Sequence, residues 1–380
     1  MREQRDPNPF VPGRGGLPPC LAGRENEQRR LLNLVDYLWA GRGAPREAVL
    51  SGPRGNGKTA LLRWLQRTIE AGEPDFDVVW LTPNDIPGLD PLANALMPPS
   101  RFASLLPESV SFSVGVGKMG WKLNGQGQSF TSLLTLRCAR RPLVLLLDEA
   151  HVLAQDVGQT LLNSAQVVAA QAPFLLVMAG TPGLQAHLNT LSATFWSRAE
   201  KLGIGRLDEA AAGLALSRPM ADEKPSIDFD ADALNRVVRD CQGYPYFIQL
   251  WGAALWAAAR SEGTARVTNS ALENAAAEFG RQRLAYYEDR REELERQELL
   301  PVAAHLATAF KKSAPLRSLE LNAAIGEALT DPSTRQVLDR RDRLAALGYV
   351  WKPPEAGDAW LPGIPSLMDY VAANAGHRPP

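Results

Sequence analysis

The chain has 380 residues, of which 45% are hydrophobic and 22% charged, and its formal net charge is −1. This length allows two or three domains, and the near-neutral charge excludes a general affinity for nucleic acid or anionic lipid. The cysteines Cys20, Cys138 and Cys241 are odd in number and lack metal-ligand spacing, which fits a reducing cytoplasm. With no secretory signal and no apolar run near the ~20 residues that span a bilayer, we expect a cytoplasmic protein without a membrane partner.

The first part of the chain predicts an irregular lead-in and then alternating helix and strand. Residues 1–20 are rich in proline and glycine. Apolar residues at helical spacing predict a helix over about 25–40. A short apolar strand at 47–50 and a helix at 60–69 then flank a glycine-rich segment.

That segment matches the phosphate-binding loop pattern G-x-x-x-x-G-K-[ST], the Walker A motif, at Gly52, Gly57, Lys58 and Thr59. Glycines let backbone N–H groups approach phosphate oxygens, Lys58 would reach the β- and γ-phosphates, and the Thr59 hydroxyl would hold Mg²⁺. A glycine-rich turn with a chance lysine is the alternative, which the flanking strand and helix disfavour. The residues predicted to contact ATP or ADP are Gly52, Pro53, Arg54, Gly55, Asn56, Gly57, Lys58, Thr59 and Ala60.

The next stretch holds a strand candidate at 78–81 and a weaker helical region at 90–106. Residues 107–129 alternate apolar and small residues and then become rich in glycine, which predicts a β-hairpin or flexible insertion. Lys118 and Trp121 within it would either contact a partner or decorate a surface hairpin.

Residues 143–148 form an apolar run that ends in an acid, which predicts a central parallel strand with a Walker B motif. Asp148 would bind Mg²⁺ and Glu149 would polarise the attacking water. The alternative is two acids that only solubilise the end of a strand. His151 would sense the nucleotide, contact a neighbour or simply begin a helix.

Residues 174–179 predict the neighbouring strand, which leads to Thr181. The Thr181 hydroxyl would bond the γ-phosphate or the water, or else belong to a plain turn. Strands and helices alternating at this spacing predict an α/β fold: a doubly wound parallel sheet with the ligand at the carboxyl ends of its strands.

The chain after residue 206 predicts a helical lid and a C-terminal winged helix-turn-helix. Residues 299–374 contain three helical stretches and a hairpin over 351–360. The third helix would begin near Asp331-Pro332-Ser333, with Pro332 near its first position and Asp331 or Ser333 as its cap. Four arginines on or near this helix would suit the major groove of DNA: Arg335, Arg340, Arg341 and Arg343. Asp339 and Asp342 lie between them and weaken the positive field.

Taken in order, Gly23-Arg24-Glu25-x-Glu27, the phosphate loop, the Asp-Glu pair and the Gly-Thr strand end resemble a known family. Over about residues 18–260 the chain resembles an AAA+ ATPase of the origin-recognition-like branch, close to the signal-transduction ATPases called STAND. The resemblance implies that Ala22, Gly23 and Arg24 line the adenine pocket and that Thr181 is the first sensor.

The resemblance also implies roles for two further positions. Arg198 lies where the family often has an arginine finger for a neighbouring subunit's γ-phosphate, and a surface salt bridge is the alternative. The segment Gly243-Tyr244-Pro245 resembles the second-sensor region, in which Pro245 would lie over the nucleotide. Tyr246 stands where the common pattern has an arginine, so a second-sensor arginine is in doubt.

The sequence therefore predicts a Mg²⁺-dependent ATPase whose nucleotide state drives assembly or a change of shape. Its parts would be the lead-in at 1–20, an AAA+ core at 21–205, a lid at 206–275 and a winged helix at 276–380. We expect a homo-oligomer in ATP that acts on double-stranded DNA through the winged helix. The alternative is a STAND-like signalling or defence switch that senses a trigger and controls a protein effector.

Overall fold

The computed structural model describes residues 7–13, 15–40, 46–72, 75–98, 110–115, 118–123, 126–191, 198–223 and 225–375, with backbone alone at 39 and 110–129. The chain divides into two compact units. Unit 1 consists of residues 1–25, 52–61 and 204–380, and unit 2 of residues 26–51 and 62–203. Among the described residues, no helix is long and apolar enough to cross a membrane.

The helices are, in chain order, α1 (Glu25–Trp39), α2 (Lys58–Gly72), α3 (Leu89–Leu96), α4 (Gln126–Arg140), α5 (Gln155–Ala169), α6 (Leu184–Thr190), α7 (Glu209–Ala221), α8 (Ala231–Cys241), α9 (Pro245–Glu262), α10 (Asn269–Arg296), α11 (Leu300–Lys312), α12 (Ser318–Glu327), α13 (Thr334–Ala346) and α14 (Pro365–Asn374). The strands are β1 (Glu47–Ser51), β2 (Asp77–Leu81), β3 (Val110–Gly115), β4 (Lys118–Leu123), β5 (Leu143–Leu147), β6 (Phe174–Gly180), β7 (Glu200–Gly203), β8 (Leu316–Arg317), β9 (Val350–Trp351) and β10 (Ala359–Pro362).

Unit 2 contains a parallel five-stranded sheet in the order β2-β5-β6-β1-β7. Every residue of β5 and β6 is buried, as expected for parallel strands covered on both faces. This confirms the predicted α/β fold with a parallel sheet. Because all five strands run the same way, the ends of β1, β5 and β6 lie at one edge, where Ser51, Leu147 and Gly180 mark the last residues.

The described backbone of the 107–129 region includes the predicted hairpin, in which β3 pairs antiparallel with β4. Its two strands bring Phe112 opposite Trp121 and Gly115 opposite Lys118. Residues 107–109 and the side chains of Lys118 and Trp121 lie outside the described part of the chain, so their role stays a prediction.

Unit 1 holds the helices that follow residue 204, and its core is aromatic where α9 meets α10. Trp251 stacks on Phe279 with ring centroids 4.8 Å apart, and Phe247 meets the same ring edge-on at 5.7 Å. The apolar faces of α7, α8 and α9 pack into the same core, which gives the predicted lid helices their stability.

The C-terminal part of unit 1 follows the predicted order of three helices and a β-wing. α11, α12 and α13 are followed by β9 and β10, and the small sheet has the order β8-β10-β9. We keep the winged-helix interpretation, which rests on this topology alone. The four predicted domain ranges likewise stay a prediction.

Several local expectations were wrong or incomplete. Ser333 caps α13 and accepts a hydrogen bond from the backbone N–H of Gln336, so Pro332 precedes the cap instead of following it. The strand β7 escaped prediction because its sequence, Glu-Lys-Leu-Gly, buries only Leu202. β8 was missed because it has only two residues, and the helix α14 was not predicted.

Candidate active site

The phosphate loop follows β1 directly and ends where α2 begins at Lys58. Gly55 and Gly57 have φ values of 78° and 88°, in the left-handed region that favours glycine. A Cβ atom on Gly52 would lie only 2.2 Å from the carbonyl oxygen of Ile204, so glycine is required there by close backbone packing. The glycines of the motif therefore fit its backbone geometry.

Lys58 is buried, with 6% of its surface exposed. Its ammonium group donates hydrogen bonds to the carbonyl oxygens of Gly52 and Pro53, both at 2.9 Å. These are acceptors of the loop's own backbone. The ammonium group is thus held inside the loop, where it can exchange these carbonyl partners for the oxygens of a bound phosphate group.

Hydrogen bonds of Arg24 and Asn56 connect the phosphate loop with the predicted base-pocket segment and with residues 204–205. The buried Arg24 guanidinium donates to the carbonyl oxygen of Asn56 at 3.1 Å and also to that of Gly205. The Asn56 amide donates to the carbonyl of Ile204 at 3.2 Å, while its side-chain oxygen is buried and has no hydrogen-bond partner within the described residues. Unit 1 therefore brings Arg24 to the loop, and the role of Arg24 in the adenine pocket stays a prediction.

Tyr244 is a contact that sequence reasoning missed. Its hydroxyl donates to the carbonyl oxygen of Arg54 in the phosphate loop and lies 3.1 Å from the hydroxyl of Tyr286 in α10. Burial raises the pKa of Tyr244 well above its usual range, so this hydroxyl stays protonated and can donate. Pro245 follows as the first residue of α9, beside the loop contact that Tyr244 makes.

The loop also contacts residues from much later in the chain. The Arg54 guanidinium lies 3.6 Å from the Glu293 carboxylate of α10. A Cβ atom on Gly348, in the turn before β9, would lie 3.3 Å from the Cα of Pro53. Pro53 and Arg54, two of the four variable positions of the loop, thus contact α10 and the C-terminal region.

The acidic pair belongs to unit 2, at the end of β5. Asp148 is buried, its backbone N–H donates to the carbonyl of Leu81 at 3.0 Å, and its carboxylate accepts from the backbone N–H of Glu149 at 3.0 Å. Glu149 adopts the left-handed conformation with φ 53°, which is uncommon for a residue with a side chain. The Glu149 carboxylate is half-exposed and lies 3.5 Å from Nδ1 of His151.

Thr181 comes directly after β6, which lies between β1 and β5. Its side chain is 1% exposed, and its hydroxyl makes no hydrogen bond within the described part of the chain. A buried hydroxyl without a partner is costly, and such groups are found where a ligand or water completes the bonding. This supports a binding role more than a plain turn.

Arg198 lies at the opposite edge of the sheet, where the strands have their amino-terminal ends. It precedes β7, whose first residue Glu200 pairs with Ala48 near the start of β1. Its charge acts on the carboxyl of Glu47, whose pKa is nevertheless raised because burial dominates. At about 3.3 Å per strand residue, this edge is about 15 Å from the strand ends that carry Asp148 and Thr181. Unit 2 therefore does not bring Arg198 to those residues.

The comparisons with known proteins agree with this geometry. Residues 21–178, which hold the phosphate loop and the acidic strand end, match the family model of the AAA ATPase domain. The chain contains an AAA ATPase domain with a P-loop. Nucleotide binding and ATP hydrolysis follow from that domain, while the origin-recognition-like or STAND branch stays a prediction.

Solved structures similar to this ATPase include the Walker-type ATPase of Pyrococcus abyssi, with a TM-score of 0.61 and 14% identity over 92% of this chain and 96% of that one. That similarity supports the fold. The Aeropyrum pernix Orc1 protein in complex with DNA is 17% identical over 94% of both chains, with a TM-score of 0.49. Cdc6p from Pyrobaculum aerophilum is 15% identical over 94% of this chain and 96% of that chain, also at 0.49. No curated protein matches this chain.

Proposed function

We propose that this ATPase is a nucleotide-dependent switch, in which ATP at the phosphate loop changes the position of the lid helices and the C-terminal region. The observation that carries the proposal is the contact of Arg54 with Tyr244 and Glu293, together with the packing of Gly348 on Pro53. All of these residues belong to unit 1.

The bonds of Lys58 supply a reason for the loop to change. An ammonium group that reaches for the β- and γ-phosphates exchanges the carbonyls of Gly52 and Pro53 for phosphate oxygens. The peptide units of Pro53 and Arg54 are then free to reorient. Since Tyr244 binds the Arg54 carbonyl, this reorientation would reach the lid directly.

In the proposed reaction, ATP binds with Mg²⁺, which supplies charge neutralisation when bound. Mg²⁺ in nucleotide sites keeps several waters and takes one or two protein oxygens besides the phosphates. The described residues contain no cluster of three or more His, Cys, Asp or Glu side chains that could hold a metal, and such a site does not need one. Thr59 and Asp148 are the proposed ligands, Glu149 orients the water, and Thr181 bonds the γ-phosphate or that water.

The position of Arg198 supports a role in a neighbouring subunit, because its edge of the sheet is remote from the strand ends of its own subunit. In a homo-oligomer formed in ATP, Arg198 would reach the γ-phosphate bound by the neighbouring subunit. Mixing inactive Lys58→Ala with inactive Arg198→Ala subunits should restore activity at shared interfaces. No restoration, with a monomeric mass in ATP, would refute a finger in trans.

The choice between DNA and a protein partner depends on whether the arginines of α13 are available to bind phosphates. Arg341 lies 5.5 Å from the Trp360 ring and pairs with Asp342 at 2.9 Å, and Arg343 donates to the carbonyl of Gln297. These two guanidinium groups are engaged within unit 1, whereas Arg335 is exposed, so only part of the predicted DNA-binding face is available to phosphates. We therefore favour the signalling switch that controls a protein effector over a direct action on DNA.

The decisive experiment follows hydrogen exchange of the 243–249 and 286–294 segments without nucleotide and in ATP, using the non-hydrolysing Glu149→Gln protein. A switch predicts a change of protection in both segments, and a change confined to residues 52–60 would refute it. Turnover and mass are measured with and without duplex DNA. Faster turnover in DNA, lost in Arg335→Glu and kept in the control Lys312→Glu, would overturn our preference for a protein partner.

A further inference from the structure

His151 lies just after the carboxyl end of β5 and packs beside the end of β6 in unit 2. It belongs to the short 3-10 turn over Ala150–Val152 that follows the acidic pair. Its side chain is 8% exposed, whereas that of Glu149 is 47% exposed. We propose that His151 is a positioning residue that orients the Glu149 carboxylate and couples it to the end of β6. The inference rests on the proposed role of Glu149.

The first step is the contact with Glu149 itself. Nδ1 of the imidazole lies 3.5 Å from Oε2 of the carboxylate. The backbone of Glu149 is constrained, because φ is 53° and its carbonyl accepts a hydrogen bond from the N–H of Val152 at 3.1 Å. With the backbone fixed, the direction of the carboxylate depends on its side-chain torsions and on the group beside it. The buried imidazole is that group.

The second step is the packing of His151 on β6. A Cβ atom on Gly180 would lie 3.1 Å from the Cβ of Leu184 and 3.3 Å from the Cβ of His151, so the absence of a side chain at this strand end makes room for both residues. The next residue is Thr181, whose buried hydroxyl has no hydrogen-bond partner among the residues that the structure describes. A ligand that bonds this hydroxyl would act on the backbone against which His151 packs.

The neighbouring strand on the other side offers no such link. At the end of β2, the Thr82 hydroxyl donates to the Asp85 carboxylate at 2.7 Å and is therefore engaged locally. Burial and contact thus point to His151 as the polar side chain that transmits a change at Thr181 to Glu149. Since a misplaced catalytic group can cost about 100-fold in rate, a positioning histidine should affect turnover and leave ATP binding intact.

The test compares His151→Ala, His151→Asn, Glu149→Gln and the control His187→Ala. His187 is a nearby partly buried histidine whose Nε2 lies 2.9 Å from the carbonyl of Leu153, so its loss controls for removal of an imidazole from this region. ATP affinity by calorimetry, kcat, KM and Tm are measured for each. We expect His151→Ala to lower kcat about 10- to 100-fold with ATP affinity unchanged. His151→Asn should recover part of the rate because its amide can occupy the place of Nδ1, and the control should stay within about twofold of wild type.

The outcomes separate the inference from the proposed function. A His151→Ala protein that turns over like wild type while Glu149→Gln is inactive would overturn the inference alone. A loss of ATP affinity and Tm in His151→Ala without rescue by asparagine would also overturn it, because that pattern indicates a structural role. Full turnover by Glu149→Gln would refute the role of Glu149 and the inference with it.

Discussion

The Tyr244→Phe substitution tests the proposed switch by removing one oxygen atom. The ring and its edge-on contact with Phe247, at 4.7 Å between centroids, are retained. The hydrogen bonds to the Arg54 carbonyl and the Tyr286 hydroxyl are lost. A hydrogen bond contributes about 1 kcal/mol net, and a buried group left without a partner costs about 1–3 kcal/mol. We therefore expect the nucleotide-free protein to lose about 2 kcal/mol of stability.

If the contact stabilises the nucleotide-free loop, its loss must favour the ATP-bound state by linkage. We expect Tyr244→Phe to tighten ATP binding by about 2- to 10-fold, which corresponds to about 0.4–1.4 kcal/mol. Thermal unfolding should show a lower Tm without nucleotide and a smaller decrease in ATP. The matched control is Tyr246→Phe, whose hydroxyl makes no hydrogen bond within the described residues. Equal destabilisation in both states, with unchanged affinity by calorimetry, would refute the reasoning.

Three further predictions concern the chemistry of single side chains. Lys58→Ala should abolish tight ATP binding in calorimetry because the cation that faces the phosphates is gone, and an affinity within about a factor of two of wild type would contradict the loop assignment. Glu149→Gln should bind ATP and release no phosphate, since an amide cannot polarise the water; undiminished release would remove Glu149 from the mechanism. Burial raises the pKa of Cys138 to about 12 and that of Cys241 well above its usual range, so at pH 8 a thiol reagent should label only the partly exposed Cys20 until the protein unfolds. Rapid labelling of all three in the folded protein would contradict this burial.

The sequence predicted the C-terminal region only in part. The spacing of apolar residues fixed the existence of α13, but the pattern of four arginines suggested a DNA-binding face. In the fold, Arg341 lies against Trp360 and Arg343 bonds a backbone carbonyl of residue 297. Whether an arginine faces solvent depends on residues that are distant in sequence, so its local neighbours could not reveal this.

What the sequence by itself determined is the local chemistry: the phosphate loop, the acidic strand end and the parallel sheet that carries them. These depend on glycine conformations, adjacent ligands and apolar runs, all of which are contiguous in the chain. Only the tertiary structure decided that Tyr244 bonds the loop across 190 positions, that Arg198 lies at the remote edge of the sheet, and that His151 packs against Gly180. Such contacts arise when separate elements pack together, and the apolar periodicity within one element does not show which distant residues it will meet.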